Sequence, residues 1–180
     1  MRKLSMLLVP GLVSMALAAG PMLTSAYAAG SDEPSPPPKS DSSAKKGKKK
    51  SSSISDPKFL AAYRAAYTTI YDGHDYTSAI GQLKSLERDD VADVANLIGY
   101  SYRKLGDYQS SKVYYELALK DDPNHVRTWQ YYGLWQLEQG NREQAQYHLN
   151  KIASLAGTDS SEYRSLAAAL DKPTGATLVY

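Results

Sequence analysis

Two glycines recur at a fixed interval: Gly99 and Gly106 are followed 34 residues later by Gly133 and Gly140. A period of that length constrains the chain strongly, because it is the length of a helix–turn–helix unit that cannot bury its apolar side alone and must stack on its own copies. The residues around the glycines keep their character in both copies, although few are identical. Ala95, Ile98, Gly99 and Tyr102 make one stripe of the middle copy, and Ser111, Tyr115, Ala118 and Leu119 make another after the Gly106-Asp107-Tyr108 turn. In the following copy Trp129, Tyr132, Gly133 and Gln136 precede Gly140-Asn141, and Ala145, Leu149, Ile152 and Ala153 come after it. Each second set runs i, i+4, i+7, i+8, which is one face of a helix.

Two antiparallel helices with these stripes pack closely only where side chains are small. Gly99 and Gly133 let a first helix approach its partner, Ala118 and Ala145 do the same from the other side, and Tyr102, Tyr115 and Trp129 fill the remaining space. Gly106 and Gly140 end the first helix of each pair where a left-handed residue costs least, and Pro123 stops a second helix. Tyr131 and Trp135 lie off the main stripe, with core packing as their expected role.

These residues resemble the tetratricopeptide repeat, whose pattern W-x2-L-G-x2-Y, then A-x3-F, then A and P, is met in the middle copy by Gly99, Tyr102, Tyr115, Ala118 and Pro123. The middle copy departs from the pattern at Ala95 and Ser111. The third copy keeps Trp129, Gly133 and Ala145 but has Gln136, Leu149 and Ile152, and Gly157 stands where a proline is expected. A first copy appears when Tyr76, Ala79, Leu83 and Leu86 are laid on Tyr108, Ser111, Tyr115 and Ala118, a shift of 32 residues. Its first helix carries Tyr63, Ala66, Tyr67 and Ile70, with Tyr67 in place of the packing glycine, and its turn is shortened around Glu87 to Val91. Beyond Gly157, Asp159 reads as an N-cap with Glu162 three residues on, opening a capping helix striped by Tyr163, Leu166, Ala167 and Leu170.

The resemblance covers residues 57–172: repeats over about 60–91, 92–125 and 126–157 and a capping helix over about 160–171, with an irregular tail at 173–180. It implies an all-α fold, a right-handed superhelical array of antiparallel helix pairs with seven helices and no sheet. It also implies a protein-binding module whose first helices line a concave groove. Carried over, that places Arg64, Thr68 and Tyr71 of the first repeat in the groove, then Asn96, Tyr100, Arg103 and Lys104 of the second, and Arg127, Gln130 and Leu134 of the third. Asn and Gln suit a peptide backbone, Arg a carboxylate and Tyr an apolar contact, so an acidic segment or a free C-terminus is the expected ligand.

The chain before the repeats has a different composition. Arg2 and Lys3 open an N-terminal stretch that is uncharged from Leu4 to Gly30, and Ala26-Tyr27-Ala28 gives a small-residue cleavage site, so residues 1–28 read as a secretory signal peptide. The run is also long enough for an uncleaved membrane anchor, although Pro10, Gly11, Gly20 and Pro21 weaken it as a helix. Residues 29–56, rich in Pro, Ser and Lys, read as a disordered linker, with a root-mean-square reach of roughly 30 Å. Its Lys45, Lys46, Lys48, Lys49 and Lys50 could meet an anionic envelope surface.

The net charge of +2 conceals this division, since residues 57–180 hold thirteen Lys and Arg against fifteen acidic groups. A faintly acidic repeat region offers no footprint for nucleic acid. With no cysteine in the chain, thiol nucleophiles and cysteine-based metal sites are excluded. His74, His125 and His148 lack metal-ligand spacing, no Ser-His-Asp set or phosphate loop is apparent, and Asp89-Asp90 and Asp121-Asp122 read as turn residues. The expectation is a non-enzymatic, cofactor-free protein, periplasmic or secreted, that acts as an adaptor or assembly factor. The alternative is an envelope structural protein whose linker binds a polyanion and whose repeats self-associate.

Overall fold

The computed structural model describes residues 56–172. The expected signal peptide, nearly all of the expected linker and the tail at 173–180 lie outside the described residues. Within them the chain forms seven α-helices and no strand: α1 (Pro57–Tyr71), α2 (Tyr76–Lys84), α3 (Ala92–Lys104), α4 (Tyr108–Asp121), α5 (Val126–Glu138), α6 (Arg142–Ala156) and α7 (Ser161–Leu170). None of the described helices is long and apolar enough to cross a membrane.

The boundaries follow from local chemistry. Asp56, Asp75 and Asp107 each accept a backbone N–H of the first turn that follows, from Lys58, Ser78 and Ser110 respectively, and Pro57 occupies a position that needs no donor. The turns after α3 and α5 are the same motif 34 residues apart. Gly106 and Gly140 both have φ of 79°, and Asp107 N–H reaches back to the Tyr102 carbonyl at 2.9 Å as Asn141 N–H does to that of Gln136 at 2.8 Å. That six-to-one bond with a left-handed glycine is the Schellman ending. The first repeat places His74, with φ of 51°, where the 32-residue shift aligns it with Gly106. The cap of α7 differs from expectation: Ser160 Oγ, not the Asp159 carboxylate, accepts the Tyr163 N–H, because three residues separate donor and acceptor only from Ser160.

Each second helix (α2, α4, α6) packs between its own first helix and the next one, and neighbouring first helices (α1, α3, α5, α7) also touch one another. Among the described residues the second helices make no such contact with each other. An array held together on one side and splayed on the other curves toward the held side, so the first helices form the inner layer. One core runs from Phe59 to Leu170 without a break between repeats, as expected of units that bury their apolar sides on their neighbours. Tyr131 and Trp135 belong to it.

The two packing glycines explain how close the helices come. A Cβ on Gly99 would lie 2.9 Å from the Tyr115 ring, and one on Gly133 would lie 2.5 Å from Leu166 Cδ2 and 3.2 Å from His148 Cβ. The first repeat, which has Tyr67 at this position, is fastened from outside instead: Lys84 of α2 donates to the Tyr102 hydroxyl at 2.8 Å and lies over the Tyr102 and Tyr114 rings.

Candidate functional site: the layer of first helices

All ten residues expected in the groove fall on α1, α3 and α5, but the structure divides them. Arg64 and Thr68 are exposed on α1, Tyr71, Lys104 and Arg127 are half-buried, and Asn96, Tyr100, Arg103, Gln130 and Leu134 are buried. Five of the ten are therefore withdrawn from open solvent.

Two of the buried polar ones, Asn96 and Arg103, are held by the next repeat. Arg103 closes a bidentate ion pair with Glu138, Nε at 2.9 Å and Nη2 at 3.0 Å, and is 3% exposed. Asn96 Oδ1 accepts from the Thr128 hydroxyl at 3.2 Å. Arg127, in turn, reaches Glu162 of the capping helix at 3.3 Å. Two of the three arginines expected to take a ligand carboxylate, Arg103 and Arg127, thus already hold carboxylates of this chain. Burial acts to raise the Glu162 pKa, but its own N–H, the Ser161 hydroxyl and Arg127 bring it below the usual range.

Between these polar links the layer is filled with tyrosine. Tyr67, Tyr71, Tyr100 and Tyr131 follow one another with ring centroids 4.5, 5.5 and 5.1 Å apart, and the Tyr71 and Tyr131 hydroxyls share a hydrogen bond of 2.9 Å. Burial raises the pKa of Tyr71 far above that of a free phenol and that of Tyr67 to about 12, so both stay neutral. Lys104 lies over the Tyr100 ring at 5.8 Å. The open part of the surface is then a strip on α1, where Arg64, Tyr67, Thr68 and Tyr71 share one helical face, with Lys104 beside it.

A further constellation lies at the junction of α3 and α5. His125 Nε2 stands 3.1 Å from Asp93 Oδ1, and its Nδ1 stands 2.6 Å from Thr128 Oγ1. The order of acid, imidazole and hydroxyl is that of a hydrolytic triad. Here Thr128 is 0% exposed and its hydroxyl donates to Asn96, so no substrate can meet the oxygen. Judging His125 by metal-ligand spacing missed this set, although Asp93 and His125 stand 32 residues apart, close to the repeat length.

Helix pairs stacked in this way, with a Schellman turn and a packing glycine at matched positions, define a helical-repeat protein. Residues 102–170 match the family described as "Tetratricopeptide repeat", and the helix pairs of the described residues agree with that likeness. No curated protein matches the chain. Repeats of this family serve as protein–protein interaction modules and are generally non-enzymatic.

Proposed function

We propose that the chain is an exported adaptor or assembly factor that holds an extended, acidic segment of a protein partner against the layer of first helices. The observation that carries this reading is the strip on α1, where the exposed Arg64 and Thr68 flank the half-buried Tyr67 and Tyr71. Aromatic rings offer contact area at low entropic cost, and Arg64 with Lys104 supplies positive charge at its border. Asn96 and Arg103 contribute indirectly, by fixing how the second and third repeats sit.

An affinity purification from envelope extract, run in parallel with the full chain and with Arg64→Ala plus Lys104→Ala, tests the surface. A partner retained by the first and lost by the second is expected, with helical content unchanged. Equal recovery would overturn the assignment. Export is supported by the pattern of residues 1–28 and is tested by fractionation with N-terminal sequencing. A mature protein starting at Ala29 is expected, and retention in the cytoplasm with an intact Met1 would refute it.

A further inference from the structure

The second helices α4 and α6 do not touch, and α5 packs against both, so the outer face carries a furrow between them with α5 as its floor. Its lining is aromatic. Both tryptophans of the chain stand on α5. Trp129 is half-buried and meets the exposed Tyr147 of α6 at 6.1 Å, and Trp135 donates from Nε1 to the Tyr108 carbonyl of α4 at 3.2 Å. Between them Tyr132 donates its hydroxyl to Glu116 of α4 at 3.2 Å, its ring 4.9 Å from that of His148 on α6. Tyr147 is 49% exposed, and Leu155, eight residues on along the same face of α6, is exposed too.

This furrow already receives one proline of the chain. Pro123, in the turn between α4 and α5, accepts the Trp129 Nε1–H on its carbonyl at 2.9 Å. Tryptophan and tyrosine rings in a groove suit a proline-rich segment, whose extended left-handed helix loses little entropy when it docks. Charge stands at both walls. Glu116 pairs with Lys112 at 3.8 Å with both side chains about half exposed, a weak bond that leaves the carboxylate open to a second cation. On the other wall Lys151 lies over the Tyr147 ring at 5.7 Å.

We propose that the furrow is the docking site of this chain's own residues 32–39. Four of the nine prolines fall in residues 34–38, with Asp32 and Glu33 before them and Lys39 after. That order complements the furrow, the acidic end toward Lys151 and Lys39 toward Glu116. In the polyproline form Glu33 to Lys39 spans about 19 Å, at roughly 3.1 Å per residue, which matches two helix spacings of about 8–10 Å from α6 across α5 to α4. The tether fits as well. Lys39 and Asp56 are 17 residues apart, and a coil of that length has a root-mean-square reach of about 23 Å. Since α1 and α5 run the same way, Asp56 lies at the same edge as Pro123, two first-helix spacings or about 20 Å away. A reach matched to its span favours docking within one chain, and it leaves the strip on α1 open.

The test is a zero-length carbodiimide cross-link on the full chain in dilute solution, mapped by mass spectrometry. Lys39 is expected to join Glu116 in higher yield than any of Lys45, Lys46, Lys48, Lys49 and Lys50, which lie nearer to the repeats in sequence. Pro36→Gly with Pro37→Gly and Pro38→Gly, or Tyr147→Ser alone, lowers that yield about fivefold, the worth of one aromatic contact, with helical content unchanged. Acrylamide quenching of tryptophan emission rises in both variants as Trp129 is uncovered. In a mixture of light and nitrogen-15 chains the link forms within copies. A Lys39 yield no greater than that of the lysine cluster, or a change of less than about twofold in the glycine variant, would overturn the proposal. So would links mainly between light and heavy copies, which would assign the furrow to a second copy of the chain. Should Tyr147→Ser disturb the helices, the glycine variant, which leaves the repeats untouched, still decides it.

Discussion

Lowering the pH should destabilise this protein through a histidine that folding keeps neutral, His148. His148 is 3% exposed on α6, its Nδ1 donates to the Trp129 carbonyl at 3.2 Å, and the edges of Trp129 and Tyr132 close around it at 5.0 and 4.9 Å. Burial lowers its pKa from 6.5 to about 4, against the smaller effect of the backbone bond, which raises it. The unfolded chain therefore binds this proton at a higher pH than the folded one. The stability attached to the neutral ring is complete above the unfolded value and is lost as pH falls from there through the folded value. At 1.36 kcal/mol per pKa unit the whole loss is about 3 kcal/mol, of which about 2 kcal/mol has gone by pH 5. Acidic groups with lowered pKa values, such as Asp93 and Glu162, lose their contribution further down. The His148→Phe chain keeps an aromatic ring and removes the titration. Urea unfolding of both chains, followed by far-ultraviolet circular dichroism, should show the stability of His148→Phe relative to wild type rising by about 2 kcal/mol between pH 7 and pH 5. A difference constant to within about 0.5 kcal/mol would refute the argument that burial keeps this ring neutral.

Other substitutions test the packing and turn arguments. Gly133→Ala would press a methyl group into Leu166, and a loss of about 1–3 kcal/mol is expected in urea unfolding; recovery in Gly133→Ala with Leu166→Ala would assign the loss to that contact, and no recovery would assign it elsewhere. Ser111 Oγ is buried without a hydrogen-bond partner, so Ser111→Ala should leave stability equal or raise it by about 1 kcal/mol; a loss greater than that would mean the hydroxyl is satisfied in solution. His74→Gly should raise stability by about 0.5–1 kcal/mol, the left-handed strain relieved less the added entropy of the unfolded chain, and any loss would refute the strain at that turn.

The fold was legible because its signals are local. A glycine at a left-handed turn, an aspartate three residues before a backbone N–H and an apolar stripe at i, i+4, i+7 each act within a dozen residues, and seven helices follow from them. The cap of α7 was misread by one residue because Asp159 and Ser160 are both good N-caps, and only geometry separates them. The surface was less legible. Arg103, Asn96 and Arg127 are types that suit a ligand, and nothing in their own neighbourhood says that Glu138, Thr128 and Glu162 hold them. The missing signal was the repeat length itself: these partners stand 35, 32 and 35 residues away. Charge-complementary positions about one period apart read as contacts between repeats as readily as contacts with a ligand.

Those long-range pairs also bear on how such an array could be rebuilt. The apolar stripes of the repeats are alike and would stack in any sequence of units. Asp93 with His125, Asn96 with Thr128 and Arg103 with Glu138 are complementary in one direction only, from the second repeat to the third. A generic repeat spliced between them would keep the oily contacts and break all three links at once, taking the Glu138 carboxylate from the buried Arg103 and the Thr128 donor from the buried Asn96. The units of this protein are therefore not interchangeable beads; their order is written in the polar groups of the inner layer.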